Sequence, residues 1–399
     1  MASRLTPEDL SAETAPNSTQ STTISYPARQ PADCDIPVSI ESCAGLEYIG
    51  FNTDTATEIW NRWDGRPDGE FNPDSLWDYI SAHIARLHYV FGHLAPLDTP
   101  PTKSPAEAMT DLGIRQDVQD GILHPDYTEI FETQPLHFWL TDTLRINYFH
   151  ILEVLGRSQT VATDIKGTGA ISQESRESYF KYCTVVDTPS PLLDGHTALY
   201  NGKAAPEIKA TLTPLVDKNG NIDLYCLRSS DPGDFSPRRE AQYWRLEKET
   251  AENFLEYARR RNPRAEMLLI RMQVPDNFLE PFKTEDLYWG ADWREYVWRC
   301  RHGERLAKFR HLWNDADLIK GHILRLAYKR VDEIKEGNIQ TDILYEHVMA
   351  IPHTGRKSTQ WAFMKEDIVD RLAEAIEGKM HITVKPGLDT LDTPEGAKK

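Results

Sequence analysis

The residues of this chain best suited to handle a ligand lie in and around one stretch, Asp231 to Ala258, DPGDFSPRREAQYWRLEKETAENFLEYA. Asp231-Pro232-Gly233-Asp234 has turn chemistry, because proline fixes φ and glycine is free to take positive φ. A short aromatic strand, Gln242-Tyr243-Trp244, follows. Ala251, Phe254, Leu255 and Ala258 then recur at the spacing of one buried helical stripe, with Pro263 as its stop. Loop, aromatic strand and helix in succession frame a ligand cleft. The other usual constellations are missing. His83, His88 and His93 are five apart, so on a helix each is turned about 140° from the last and they cannot converge on one metal. The sequence has no Walker loop, GxGxxG, GxSxG or HExxH.

A wider pattern runs over residues 197–385. Leu199-Tyr200-Asn201-Gly202 stands where a strand meets a turn. Asp234-Phe235-Ser236 leads into Gln242-Tyr243-Trp244, and Trp293-Arg294-Glu295-Tyr296-Val297 precedes Arg301. Asp317-Leu318-Ile319-Lys320-Gly321-His322-Ile323 forms a strand, and Gln360-Trp361-Ala362-Phe363 opens the last strand and helix. In this order the set resembles the ADP-ribosyltransferase-like proteins, and most closely those with YHG, DFG…FY, W..FV..R, D..IGP and Q..F elements. The resemblance covers about half the chain.

The resemblance implies a cleft between two small sheets that takes NAD as co-substrate. Asn201, beside Gly202, would hold the adenosine ribose, Tyr243 would stack on nicotinamide, and Gln360 would address the nicotinamide ribose. Cleaving the glycosidic C–N bond develops oxocarbenium-like charge, which a carboxylate or amide oxygen stabilises, while an aromatic face holds the flat leaving group. Two positions depart from the family pattern: Asn201 replaces a histidine, and Gln360 carries no charge. Glu295 is a second candidate for the catalytic acid, but Trp293, Tyr296, Val297 and Cys300 are helically spaced and Asp292 with Glu295 matches a capping box. Each of the others also has a structural reading. Asn201-Gly202 is a common turn pair, Tyr243 an aromatic among aromatics, and Gln360 an amide at a strand start. The function implied is an NAD-binding protein that transfers ADP-ribose to an unknown acceptor or hydrolyses NAD. The alternative is a catalytically inactive fold relative serving as a protein-interaction module.

These residues must be positioned by an α+β fold, a mainly helical region followed by a split β-sheet domain. Residues 1–40, rich in Ser, Thr, Pro and Ala, read as a disordered tail. Residues 41–160 read as helical, 161–190 as a linker, 191–386 as the ADP-ribosyltransferase-like domain and 387–399 as a second tail. Ser75 to Phe91 carries an apolar stripe. Ser104-Pro105-Ala106-Glu107 is a capping box with Pro at the first helical position. Residues 135–157 give a long helix, with Phe138, Leu144, Tyr148, Ile151, Leu152 and Leu155 mostly inward and Gly156 as its stop. Thr197 to Tyr200, Ile222 to Leu227, Met267 to Val274, Leu318 to Ile323, Gln360 to Met364 and His381 to Val384 read as strands, and Glu366 to Glu377 as a helix.

The formal charge of −17 argues against a nucleic-acid partner, which would draw on clustered Lys and Arg. One local exception, Arg259-Arg260-Arg261 with Arg264, closes a helix where cations stabilise the negative dipole end. Five scattered cysteines without a CxxC pair suggest neither a disulfide framework nor a zinc site. No stretch approaches the ~18 apolar residues of a membrane span, and the N-terminus has no apolar signal region. The expected setting is intracellular, cytoplasmic or nuclear, with NAD and a protein acceptor or partner and neither nucleic acid nor membrane.

Overall fold

The computed structural model describes residues 21–25, 36–66, 74–87, 103–164, 180, 182–209, 214–228, 233–238 and 240–388. It is α+β. One nine-stranded mixed sheet has the order β2-β1-β9-β5-β3-β4-β8-β7-β6. The strands are β1 (Thr23–Ser25), β2 (Thr184–Val185), β3 (His196–Ala204), β4 (Gln242–Arg245), β5 (Met267–Pro275), β6 (Thr284–Leu287), β7 (Leu318–His322), β8 (Thr359–Phe363) and β9 (Met380–Lys385). Among the described residues nine helices have seven residues or more: α1 (Cys43–Ile49), α2 (Thr53–Asp64), α3 (Leu76–Ile84), α4 (Pro105–Asp111), α5 (Gln116–Ile122), α6 (Leu136–Asp164), α7 (Lys248–Arg261), α8 (Ala291–Arg301) and α9 (Glu366–Ala375).

The sheet is nearly divided in its middle. β3 pairs along its whole length with β5, from His196↔Pro275 to Ala204↔Met267, but meets β4 through the single pair Tyr200↔Arg245. That seam matters, because strands that splay apart leave backbone and side chains open to a ligand.

Both faces of the sheet are covered, which explains why β5 reads as a continuous apolar run. Leu268, Ile270 and Met272 pack on one face with Trp244, Trp361 and Phe363 under the Ile368, Val369 and Leu372 side of α9. On the other face, Met267 and Leu269 meet Ala251 and Leu255 of α7. Further along that face Tyr243, Ala362 and Ile319 meet Trp293, Tyr296 and Val297 of α8. The helical region has its own core, built from α1 to α6, and Tyr257, Ile323 and Met349 of the sheet region enter it.

The local signals that drew on short-range physics form as read. Ser104 Oγ accepts from the Glu107 amide at 3.3 Å and a Glu107 carboxylate oxygen accepts from the Ser104 amide at 2.7 Å, closing the capping box before Pro105. α4 ends near Gly113, whose φ of +68° only glycine takes freely and whose added Cβ would fall 1.8 Å from Thr55 Oγ1.

Several expectations are corrected. Asn201-Gly202 is no turn but the middle of β3, because Asn201↔Ile270 and Gly202↔Leu269 continue the ladder with β5. Ile222 to Leu227 is no strand: Ile222 makes one bridge to Val216, and Tyr225–Leu227 is a 3-10 turn. β1 lies within the segment read as a tail, held between β2 and β9. β2 likewise lies in the segment read as a linker. α6 runs past Gly156 to Asp164, and Leu152 is exposed on it. The stripe helix beginning at Ser75 is α-helical only to Ile84. His88 and His93 fall outside the described residues, as do Asp231 and Pro232 of the candidate turn.

Candidate functional site

A cleft of about 310 Å³ opens where β3 and β4 part. Asn201 and Gly202 of β3, Tyr243 of β4 and Gln360 of β8 line it together. These four were all singled out from sequence, and the tertiary fold brings them to one place. The far wall comes from the helical region: Phe138, Trp139, Asp142 and Arg145 of α6 also line the cleft.

Each of the four is held by neighbours. Asn201 Nδ2 crosses the seam to donate to the Tyr243 carbonyl at 3.2 Å, the polar counterpart of the missing ladder. Gly202 lies under α7, where an added Cβ would stand 3.0 Å from both the Ala251 carbonyl oxygen and Leu255 Cβ. Tyr243 is 6% exposed. Its hydroxyl accepts from the Phe235 amide at 3.0 Å, and a Cβ on Gly233 would meet that hydroxyl at 2.4 Å. The 233–236 loop therefore covers the ring and is anchored by it. Gln360 donates through Nε2 to Asp234 Oδ2 at 2.9 Å. Two acceptors, Asp234 and the His322 carbonyl, face that nitrogen, so the amide orientation follows from the donor inventory. The remaining carboxamide oxygen has no hydrogen-bond partner among the described residues.

Beneath Gln360 lies a buried ion pair. Arg301 Nε and Nη2 donate to Asp234 Oδ1 at 3.0 and 2.8 Å, while Asp234 Oδ2 also accepts from the Leu324 amide at 3.0 Å. The guanidinium further donates to the carbonyls of Leu324 and Leu326 at 2.7 and 2.8 Å. Tyr296 Oη donates to the Phe235 carbonyl at 3.0 Å, and burial pushes that phenol well above its ordinary range. This network fixes the Asp234-Phe235 loop from α8.

Glu295 is elsewhere. It does not line the cleft, and with Asp292 it holds Lys308 at 2.9 Å from each. Nor does it complete a capping box, because α8 starts behind Gly290 with no side-chain cap. The basic run at the end of α7 is also placed. Arg261 is buried between the Trp139 and Tyr257 rings and paired to Asp142 at 2.8 Å, which ties α7 to α6.

The charges of the cleft are informative. Among the described residues four carboxylates line it, and each is paired: Asp142 with Arg261, Glu207 with Arg145, Asp234 with Arg301 and Glu240 with Arg228. Six described cationic residues line it, and Lys203 and Arg245 have no acidic partner among the described residues. The Arg245 guanidinium lies over the Phe254 ring at 4.8 Å, and its Nε is buried with no acceptor among the described residues. Burial pulls its pKa down to about 10. It was not among the residues picked out from sequence. The available signal was strand alternation, which puts Arg245 on the same face as Tyr243. None of the described cysteines lines the cleft, and burial pushes the Cys183 and Cys226 thiols up to about 12.

Among the described residues no group of His, Cys, Asp and Glu could hold a metal, and no helix is long and apolar enough to cross a membrane. Searches against known protein families, curated proteins and solved structures found no match to this chain.

Proposed function

We propose that the cleft at the β3–β4 seam binds NAD, and that the sheet region is ADP-ribosyltransferase-like. The observation that carries this reading is the convergence of Asn201, Gly202, Tyr243 and Gln360, named in advance from their order in the sequence, on one concave site of small-molecule size. In this reading the carboxamide oxygen of Gln360 meets a ribose hydroxyl or the anomeric carbon, and Asn201 ties the two strands across the seam. Tyr243 has a positioning role through the loop it anchors, since its covered ring leaves little face for stacking.

Calorimetric titration of NAD against the wild-type protein and Gln360→Ala tests the proposal. Saturable binding that weakens about three- to tenfold in the variant, the loss of roughly one hydrogen bond, is expected. Absence of binding at millimolar NAD, with the protein shown to be folded, would end the reading.

The second reading is an inactive relative working as an interaction module. Its motivating observation is that every carboxylate of the cleft is committed to a cation, so none is free to stabilise an oxocarbenium-like charge. Incubation with NAD, following nicotinamide release, separates the two: binding without turnover favours the module, turnover the enzyme.

A further inference from the structure

A cation left without a partner in a protein interior is costly, because removal from water is not repaid by a neighbouring charge or acceptor. Arg245 shares part of that cost: its side chain is half-buried and its Nε is enclosed. Its Nε is buried and unbonded, and no ion pair or hydrogen bond of its guanidinium exists among the described residues. The acidic groups that act on it from a distance are Asp234 and Glu247. Asp234 is committed to Arg301, and one Glu247 oxygen accepts from the Thr359 amide at 2.9 Å. Burial raises the Glu247 pKa, which weakens it further as a counter-charge. The tyrosine hydroxyl beside it, Tyr243, is occupied by the Phe235 amide.

The surroundings point the same way. Among the described residues the cleft lining has two more cations than carboxylates, although the chain as a whole carries a charge of −17. A local excess opposite in sign to the whole molecule has to be built by placement. Arg245 and Gln360 face each other across the β4–β8 ladder, so a guanidinium and a carboxamide oxygen without protein partners among the described residues lie side by side in one cleft.

We propose that Arg245 is the anion-binding residue of this cleft, receiving a phosphate or carboxylate group of a small ligand while the Gln360 oxygen accepts from a neighbouring hydroxyl of the same molecule. A guanidinium fork presents paired N–H donors that match two oxygens of either anion. The inference deepens the NAD reading, in which the group would be the pyrophosphate, but it stands on Arg245 and needs no nucleotide.

The test uses the 399-residue chain as wild type, Arg245→Gln and Arg245→Lys, titrated with pyrophosphate and with malonate as phosphate and carboxylate probes of similar size. Saturable binding of at least one probe, about tenfold or more weaker in Arg245→Gln and intermediate in Arg245→Lys, is expected. The probe that binds identifies the anion. Thermal unfolding without ligand gives an independent readout: Arg245→Gln should unfold at the same or a higher temperature, since it removes a half-buried charge that has no acidic partner among the described residues. The proposal is overturned if neither probe binds the folded wild type, if the Gln variant binds as well, or if it is less stable than wild type in the absence of ligand. Probe binding without NAD binding would leave this site and remove the NAD reading. NAD binding indifferent to Arg245→Gln would do the reverse.

Discussion

Replacing Asp234 by Asn tests whether the buried network under Gln360 organises the cleft floor. Asp234 accepts four hydrogen bonds, two from Arg301 on Oδ1 and one each from the Leu324 amide and Gln360 on Oδ2. Asn keeps the shape, and with its oxygen towards Arg301 it preserves the first two. Its NH2 then faces two donors, and each amide left without an acceptor costs about 1–3 kcal/mol. Arg301 meanwhile loses the carboxylate charge of Asp234, although the Leu324 and Leu326 carbonyls still hold it. Breaking one partner of a buried pair costs about 3–5 kcal/mol, and the count of lost acceptors lands in the same range. Urea denaturation followed by tryptophan fluorescence measures it, with the slope checked for a change in cooperativity. The double variant Asp234→Asn with Arg301→Gln should cost less than the sum of the singles by about 0.5–3 kcal/mol, because the second change removes the stranded charge. A single Asp234→Asn variant within about 0.5 kcal/mol of wild type would refute the reasoning, since surface substitutions alone reach that value.

The same geometry yields three further outcomes. His381 is buried and bonded to the Thr23 and Ser25 hydroxyls, and burial lowers its pKa to about 4 from an ordinary value of 6.5. The neutral ring is the form that folds, so its contribution is complete above pH 6.5 and fades as pH falls towards 4, by on the order of 2 kcal/mol. A His381→Gln protein should lack that part of the acid loss in paired denaturation curves. Gly202→Val should cost about 1–3 kcal/mol in thermal unfolding, because its Cβ would press on the Ala251 carbonyl and force α7 away from β3. Melting unchanged from wild type would mean that α7 is not fixed there. Glu295→Gln should alter stability by less than about 0.5 kcal/mol and leave NAD affinity unchanged, since its partner Lys308 is about half exposed. A tenfold loss of affinity would instead place Glu295 at the ligand.

What was legible in the sequence was whatever depends on neighbours within a turn or two. The stripe of α7, the Ser104 capping box, the run of β5 and the α9 helix between the last two strands all follow from residues a few positions apart. The site was partly legible, because an ordered set of elements named Asn201, Tyr243 and Gln360 without any measure of distance. The failures share one cause: a local preference overridden by a distant partner. Asn201-Gly202 favours a turn in isolation, yet β5 offers both residues ladder bonds and α7 needs the bare Cα of Gly202. Thr23 to Ser25 is too short to fold alone and becomes a strand only because β9 and β2 flank it.

The sequence by itself therefore determined most of the longer elements, the class of fold and the short list of candidate groups, since propensity, capping and periodicity act over a few residues. Only the tertiary structure decided which charges were left over. Arg301 found Asp234, Arg261 found Asp142 and Arg145 found Glu207, each across a long stretch of chain, while Arg245 found no acid. Pairing is a property of where side chains end up in space. No count of acidic and basic residues in this strongly negative chain could have revealed a cation lining its cleft without an acidic partner among the described residues.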